Sequence, residues 1–185
     1  MLNFNTDIIQ NQSPNFNSRL GVAKCIVMHW TAGSFTSSRN WFLNPSAQAS
    51  AHFMINRDGS KVIQFVPLNK RAWHAGSTAW HPVLGGDINS QSVGIELEGP
   101  PSFLKKNGWD KGQMDTLRDL CLWIKDKSVQ VIGVTDHSTI LPTMKSDVLK
   151  GVGVDLFPWN VPEGFQDWAT PEIRAKVRKH FNLKN

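Results

Sequence analysis

The chain has 185 residues, long enough for one domain with a substantial hydrophobic core and short for two. Hydrophobic residues make up 40% and charged residues 19%, which argues against a disordered chain or a coiled coil. The formal net charge of +5 favours an anionic partner, such as nucleic acid, a membrane surface or an acidic polymer; the bland alternative for the basic end "EIRAKVRKHFNLKN" is a solvated helix face.

The opening stretch "MLNFNTDIIQNQSPNFNSRLG" lacks the basic, apolar and small-residue segments of a secretory signal. No apolar run approaches the roughly 20 residues that span a bilayer, so a chain that is cytoplasmic when made is expected. Cys25 and Cys121 each lie in an apolar segment and form no C-x-x-C pair. Buried free thiols in a reducing compartment are the expectation.

"KCIVMHW", Lys24 to Trp30, is short and rich in β-formers and predicts a strand. Thr36 or a neighbouring serine can cap a short helix through Trp41 and Leu43, which Asn44-Pro45 ends. "AHFMINR" and "KVIQFV", separated by Asp58-Gly59-Ser60, predict a hairpin. Gly85-Gly86 opens a loop before the strand "SVGIELEG". Asp110 and Gln113 then have the spacing of an N-cap and its N3 partner, ahead of Met114, Leu117, Leu120, Cys121 and Ile124 at helical intervals. "VQVIGVT" is a further strand that runs into His137. Residues 138–168 are broken by Pro142, Pro158 and Pro162 and predict a long irregular loop, of the kind that is usually functional or disordered. Thr170-Pro171 starts a last helix over about 170–182, with Ile173, Val177 and Phe181 on one face and Arg174 and Arg178 on another. The fold class is α/β (mixed α+β), as one domain over residues 1–185.

Two strands deliver an imidazole where a sheet edge opens onto loops, His29 and His137. Two such histidines can share a metal, or each can be a hydrogen-bonded structural residue. Beyond His137, "STILPTMKSD" brings Lys145 and Asp147 onto one loop, and a carboxylate can complete a zinc site with two histidines. Strand alternation puts Glu96 and Glu98 on the same face of "GIELEG". Carboxylates on an apolar strand need partners, and a glutamate beside such a metal site is a natural general base; a half-exposed strand with both facing water is the alternative.

The blocks "VMHWTAG", "SAHFMINRDGSKVIQFVPLNKRAWHAG", "NSQSVGIELEG" and "DHSTILPTMKSD" resemble, in that order, those of the zinc-dependent N-acetylmuramoyl-L-alanine amidases. That group includes phage-lysozyme-type endolysins, cytosolic anhydro-muropeptide amidases and peptidoglycan recognition proteins. The matching core covers about residues 24–147. The resemblance implies a central mixed β-sheet flanked by helices, with a zinc site at the sheet rim. It implies Zn2+ as cofactor, His29, His137 and Asp147 as its ligands, Glu96 as the catalytic acid/base, and Lys145 as a stabiliser of the oxyanion. It places His52, Trp73 and His74 near the substrate groove, where Trp30 and Trp73 can present flat apolar surface. The tryptophans can equally be core residues, and His52 can simply brace the sheet. The chain departs from the family pattern after Asp147, inserting "VLKGVGVD" before "LFPW", which keeps Asp155 as a rival ligand.

The implied activity is hydrolysis of the amide joining the muramic acid lactyl group to L-alanine in peptidoglycan. The leading expectation is a bacteriolytic phage endolysin for thin Gram-negative walls, made in the host cytoplasm and released to the periplasm by a separate holin. Its alternatives are a cytosolic recycling amidase for soluble anhydro-muropeptides and a non-catalytic peptidoglycan-binding protein, the last disfavoured by the full ligand set and Glu96. Nucleic-acid binding rests on charge alone, without interleaved aromatic and basic residues, and ranks last. A monomer is expected, with weak anionic-membrane contact through the basic C-terminal helix.

Overall fold

Cys25–Trp30 is buried along nearly its whole length, as a strand covered on both faces must be, and the domain is organised around it. In this computed structural model, which describes residues 2–128, 130–143 and 161–183, the strands are β1 (Ile9–Gln10), β2 (Phe16–Ser18), β3 (Cys25–Trp30), β4 (Phe53–Ile55), β5 (Val62–Gln64), β6 (Lys70–Ala72), β7 (Ser92–Leu97), β8 (Gly133–Asp136) and β9 (Gln166–Asp167). The helices are α1 (Phe35–Leu43), α2 (Ile88–Gln91), α3 (Pro101–Asn107), α4 (Lys111–Lys127), α5 (His137–Ile140) and α6 (Pro171–His180).

Among the described residues the large sheet has seven strands in the order β1-β5-β4-β7-β3-β8-β9, and β2 pairs separately with β6. The β4–β5 hairpin is antiparallel and the other neighbours in the large sheet are parallel. This is a mixed α/β domain with a central mixed sheet flanked by helices.

Period-2 alternation sorts the sheet into two faces. Ile26, Met28, Val93, Ile95 and Leu97 share a core with Leu117, Leu120, Cys121 and Ile124, the apolar stripe of α4. Each fully buried valine, leucine, isoleucine or methionine among them contributes about 1.5–3 kcal/mol. Cys25 and Val27 point the other way, into a cluster with Ile140, Leu141 and Trp168 that Ile173 and Phe181 of the last helix complete. Both thiols are free and buried, as expected. A third cluster, with Phe42, Met54, Ile63 and Phe65, lies beneath α1. No helix among the described residues is long and apolar enough to cross a membrane.

Several boundaries differ from the sequence reading. The strands of the hairpin and of "VQVIGVT" are shorter than the apolar runs that announce them, because Val131, Phe65 and Val66 are buried beyond the ends of the ladders. The turn between β4 and β5 does use Gly59, whose φ of +77° is left-handed and whose Cβ would lie 2.2 Å from Gly112 O. Asp110 caps α4 by accepting from Gly112 N at 2.8 Å. Gln113 does not reach back to the cap; it is buried against the sheet, and its Nε2 donates to Ile55 O and Glu98 O. The stretch 138–168 is not wholly irregular: α5 opens it and β9 closes it, while residues 144–160 lie outside the described set. Strands β1, β2 and β6 and helices α2 and α3 had no clear periodic signal, being two to seven residues long.

Gly133 on β8 lets Trp168 lie against the sheet: a Cβ there would come within 2.3 Å of the indole ring. Gly133→Ala is therefore expected to cost about 1–3 kcal/mol through overpacking. Gly86→Ala, where a Cβ would meet nothing within 4 Å, is expected to change little, and urea unfolding of both variants checks the contrast.

Candidate active site

On the face of the sheet opposite α4, polar residues replace apolar ones towards the carboxyl ends of β3 and β7. Parallel pairing sets His29 opposite Glu96, and Met28 opposite Asp136, the last residue of β8. His137, at the start of α5, is thereby brought beside His29. Their Nδ1 atoms are 2.9 Å apart, with ring centroids at 4.5 Å. Both side chains are buried.

A cavity of about 500 Å³ opens over this edge. His29, Glu96 and His137 lie at it together with Trp30, Trp73 and His74, and α1 supplies a wall with Ser37, Ser38 and Trp41. Trp41 was not singled out by the sequence reading as a site residue. The signal was there: neighbouring helical residues point about 100° apart, so Phe42 and Trp41 cannot both face the core. Phe42 is buried, and Trp41 is left 54% exposed at the cavity.

His74 is turned inward. Its Nδ1 lies 2.9 Å from His29 Nε2 and its Nε2 lies 3.2 Å from Ser92 Oγ. Burial above all holds its pKa well below the ordinary imidazole value.

His52, expected near the groove, does not reach the cavity. It is fully buried; Nδ1 accepts from Gly94 N at 3.0 Å and Nε2 donates to Lys70 O at 3.1 Å, with Arg19 Nη2 2.8 Å from the same nitrogen. Its ring nitrogens are both engaged with the chain, which is the bracing role. Glu98 likewise turns away from the role its spacing suggested. Its carboxylate accepts from Phe35 N and from Arg57 N, each at 2.9 Å, tying the amino end of α1 to the segment after β4. Negative charge at a helix amino terminus is favourable there.

The segment carrying His137 is fixed by Asp136, which is fully buried. Its carboxylate accepts from Thr139 N and Thr139 Oγ1 at 2.9 Å and pairs with Arg174 Nη2 at 2.6 Å. Arg174 is thus engaged within the domain and not spread on a solvated face of α6.

Whether this edge can hold a metal is decided by its donors. Two imidazole nitrogens bound to one tetrahedral zinc at about 2.0–2.1 Å sit about 3.3 Å apart. The observed 2.9 Å between His29 and His137 is a few tenths of an ångström short of that, so the pair fits with a small adjustment. Among the described residues no group of three or more His, Cys, Asp or Glu side chains forms a metal cage. Lys145, Asp147 and the rival ligand Asp155 all lie outside the described residues.

Two imidazoles and a carboxylate thus meet at the carboxyl ends of parallel strands, at the mouth of one cavity. The chain belongs to the N-acetylmuramoyl-L-alanine amidase family, whose model matches residues 19–149. It is 49% identical over 102 residues to the 1,6-anhydro-N-acetylmuramyl-L-alanine amidase AmpD of Citrobacter freundii, covering 54% of this chain and 50% of that protein. A crystal structure of AmpD superposes with a TM-score of 0.66 at 25% identity, over 83% of this chain and 91% of the other. The amidase AmiD of Escherichia coli, solved with anhydro-N-acetylmuramic acid-L-Ala-D-gamma-Glu-L-Lys, gives a TM-score of 0.58 at 28% identity, over 80% of this chain and 58% of that one. The aligned regions span about half the length of the first curated relatives it matches.

The buried His52 makes stability depend on pH. Burial, and then the Arg19 charge, push its pKa from 6.5 down to about 3. The unfolded chain therefore binds more protons below pH 6.5, and this contribution to stability is lost as pH falls from about 6.5 towards about 3. Urea midpoints of the wild type should drop across pH 7 to 5, and more shallowly in His52→Gln; equal slopes would remove His52 as the cause.

Proposed function

We propose that the protein is a zinc-dependent N-acetylmuramoyl-L-alanine amidase that cleaves the amide between the muramic acid lactyl carbonyl and the nitrogen of L-alanine, with soluble anhydro-muropeptides as its preferred substrate. The observation that carries the reading is the convergence of the His29 and His137 Nδ1 atoms at the cavity, with Glu96 on the adjacent strand. Soluble substrate is placed ahead of the endolysin reading that leads in the sequence. The supporting likenesses are to AmpD, named for its anhydro substrate, and to AmiD, solved with an anhydro-muropeptide. The resemblance attaches a cytosolic setting to that substrate.

His29 and His137 would hold the zinc, with Asp147 as third ligand in this proposal and Asp155 as its rival. Bound zinc supplies Lewis-acid polarisation of the scissile carbonyl and makes water a stronger acid. Glu96 takes the proton of the attacking water and returns it to the alanine nitrogen as the carbon–nitrogen bond breaks, so one carboxylate serves as base and then acid. Lys145 donates to the oxygen that gains negative charge. Trp30, Trp41 and Trp73 offer flat apolar faces to the sugar and the stem, each burying a large area against a ligand.

The test is incubation of zinc-loaded protein with an anhydro-muropeptide and, separately, with purified sacculi, reading products by mass spectrometry. Free stem peptide beginning at L-alanine, faster from the soluble substrate and abolished by a chelator, is the expected result. Release from sacculi alone restores the endolysin reading, and no cleavage of either overturns the amidase. Glu96→Gln should keep its zinc while its rate falls about 100-fold to 10,000-fold, the usual share of general acid–base catalysis. A variant with the wild-type rate removes Glu96 from the chemistry.

A further inference from the structure

We propose that His74 and Ser92 form a positioning relay that sets the tautomer of His29, so that the His29 Nδ1 lone pair faces the metal position. The proposal rests on the zinc-centre reading above and deepens it. It follows from counting protons along a chain of hydrogen bonds.

Ser92 Oγ lies 2.7 Å from Ile88 O, a carbonyl that can only accept, so the single hydroxyl proton of Ser92 points there. Towards His74 Nε2, at 3.2 Å, the same oxygen can then only accept. His74 Nε2 therefore carries a proton, and a ring with its single proton there has a bare Nδ1. That bare Nδ1 is 2.9 Å from His29 Nε2, which must be the donor. Metal is bound by neutral imidazole, which has one ring proton, so in the metal-binding form of His29 the Nδ1 carries the lone pair, and it is this atom that faces His137 Nδ1.

The ring of His74 is held in place from two further sides. The backbone N–H groups of His74 and Ala75 both donate to Asn89 Oδ1, at 3.0 and 2.8 Å. Gly94 leaves room for the ring, because a Cβ there would lie 2.5 Å from His74 Cγ. With both nitrogens committed to His29 and Ser92, His74 is a positioning residue and not the substrate contact its place in "WHAG" suggested. Ligand histidines ordinarily donate their second nitrogen to a carboxylate or a carbonyl, and mutation of such partners typically costs about 10-fold to 100-fold in metal affinity or activity. Here an imidazole fills that place, and its own tautomer is fixed by a serine.

Two measurements test the relay. Long-range proton–nitrogen spectra of the zinc-free wild type should show His29 and His74 both protonated on Nε2. Zinc affinity, measured by competition with a chromophoric chelator, should fall about 10-fold to 100-fold in Ser92→Ala and in His74→Leu. It should stay within a few-fold of wild type in His74→Asn, whose amide oxygen can still accept from His29. Thermal unfolding of the zinc-free variants confirms that they fold, and the wild-type spectrum decides the tautomer without any variant. A wild type that binds zinc but carries the His29 proton on Nδ1, or affinities unchanged in Ser92→Ala and His74→Leu, overturns the relay alone. A wild type that takes up no zinc overturns the zinc centre and the relay with it.

Discussion

The parallel register of β3 against β7 and β8 is the constraint on which the site depends. Because side chains alternate along a strand, one pairing fixes what lies on both faces at once. With His29 opposite Glu96, Ile26, Met28, Ile95 and Leu97 face α4. A slip of one residue in either strand would send its carboxylate or imidazole into that apolar core and bring out isoleucine or leucine in exchange. The core thus defends the register, and the register places the chemistry. The histidine that ends an otherwise apolar strand is where burial of one face gives way to function on the other.

Putting polar groups on a buried face has a cost, and the structure meets it group by group. An unpaired polar group taken out of water costs several kcal/mol, about 2–7 depending on the reference state. His52 places one nitrogen on Gly94 N and the other on Lys70 O; Glu98 accepts two backbone amides; His74 lies between His29 and Ser92. Small residues make these contacts geometrically available. Gly94 admits the ring of His74 and Gly133 admits the indole of Trp168, so side chains approach the sheet where any Cβ would collide. The same two positions would look like weak points in a strand judged by propensity alone.

What the sequence made legible follows from this arrangement. Long periodic segments were readable: β3, β7, α4 and the capped starts of α1 and α6 all carry their pattern within a dozen or so neighbouring residues. The pairing of His29 with Glu96 could be suspected from motif order, but the contact between His29 and His74 could not, since the two are 45 positions apart and meet only through the sheet. Glu98 and Gln113 were misleading because their local spacing suggested a face and a cap, while tertiary partners on α1 and β4 claimed both side chains. His52 and His74 illustrate the limit most plainly. Each sits in a motif that resemblance puts near the groove, yet one braces the sheet and the other touches the cavity with both ring nitrogens turned to the chain.

The last helix shows how a charge pattern can conceal a structural part. Read as sequence, α6 is a basic amphipathic segment whose arginines belong to solvent or to an anionic surface. In the fold, Arg174 crosses to the fully buried Asp136, next in sequence to His137. Losing Arg174 would leave the charge of Asp136 buried without its cation, which costs more than losing an exposed pair, although Arg174 itself is 30% exposed to water. Asp136 also caps α5 and holds Thr139, so the same carboxylate sets the backbone from which the His137 imidazole projects. Ile173 and Phe181 bring apolar burial to the same junction. The last helix is therefore joined through one ion pair to the edge that carries His29 and His137, and part of the basic charge that suggested an outside partner is engaged in holding a histidine in place.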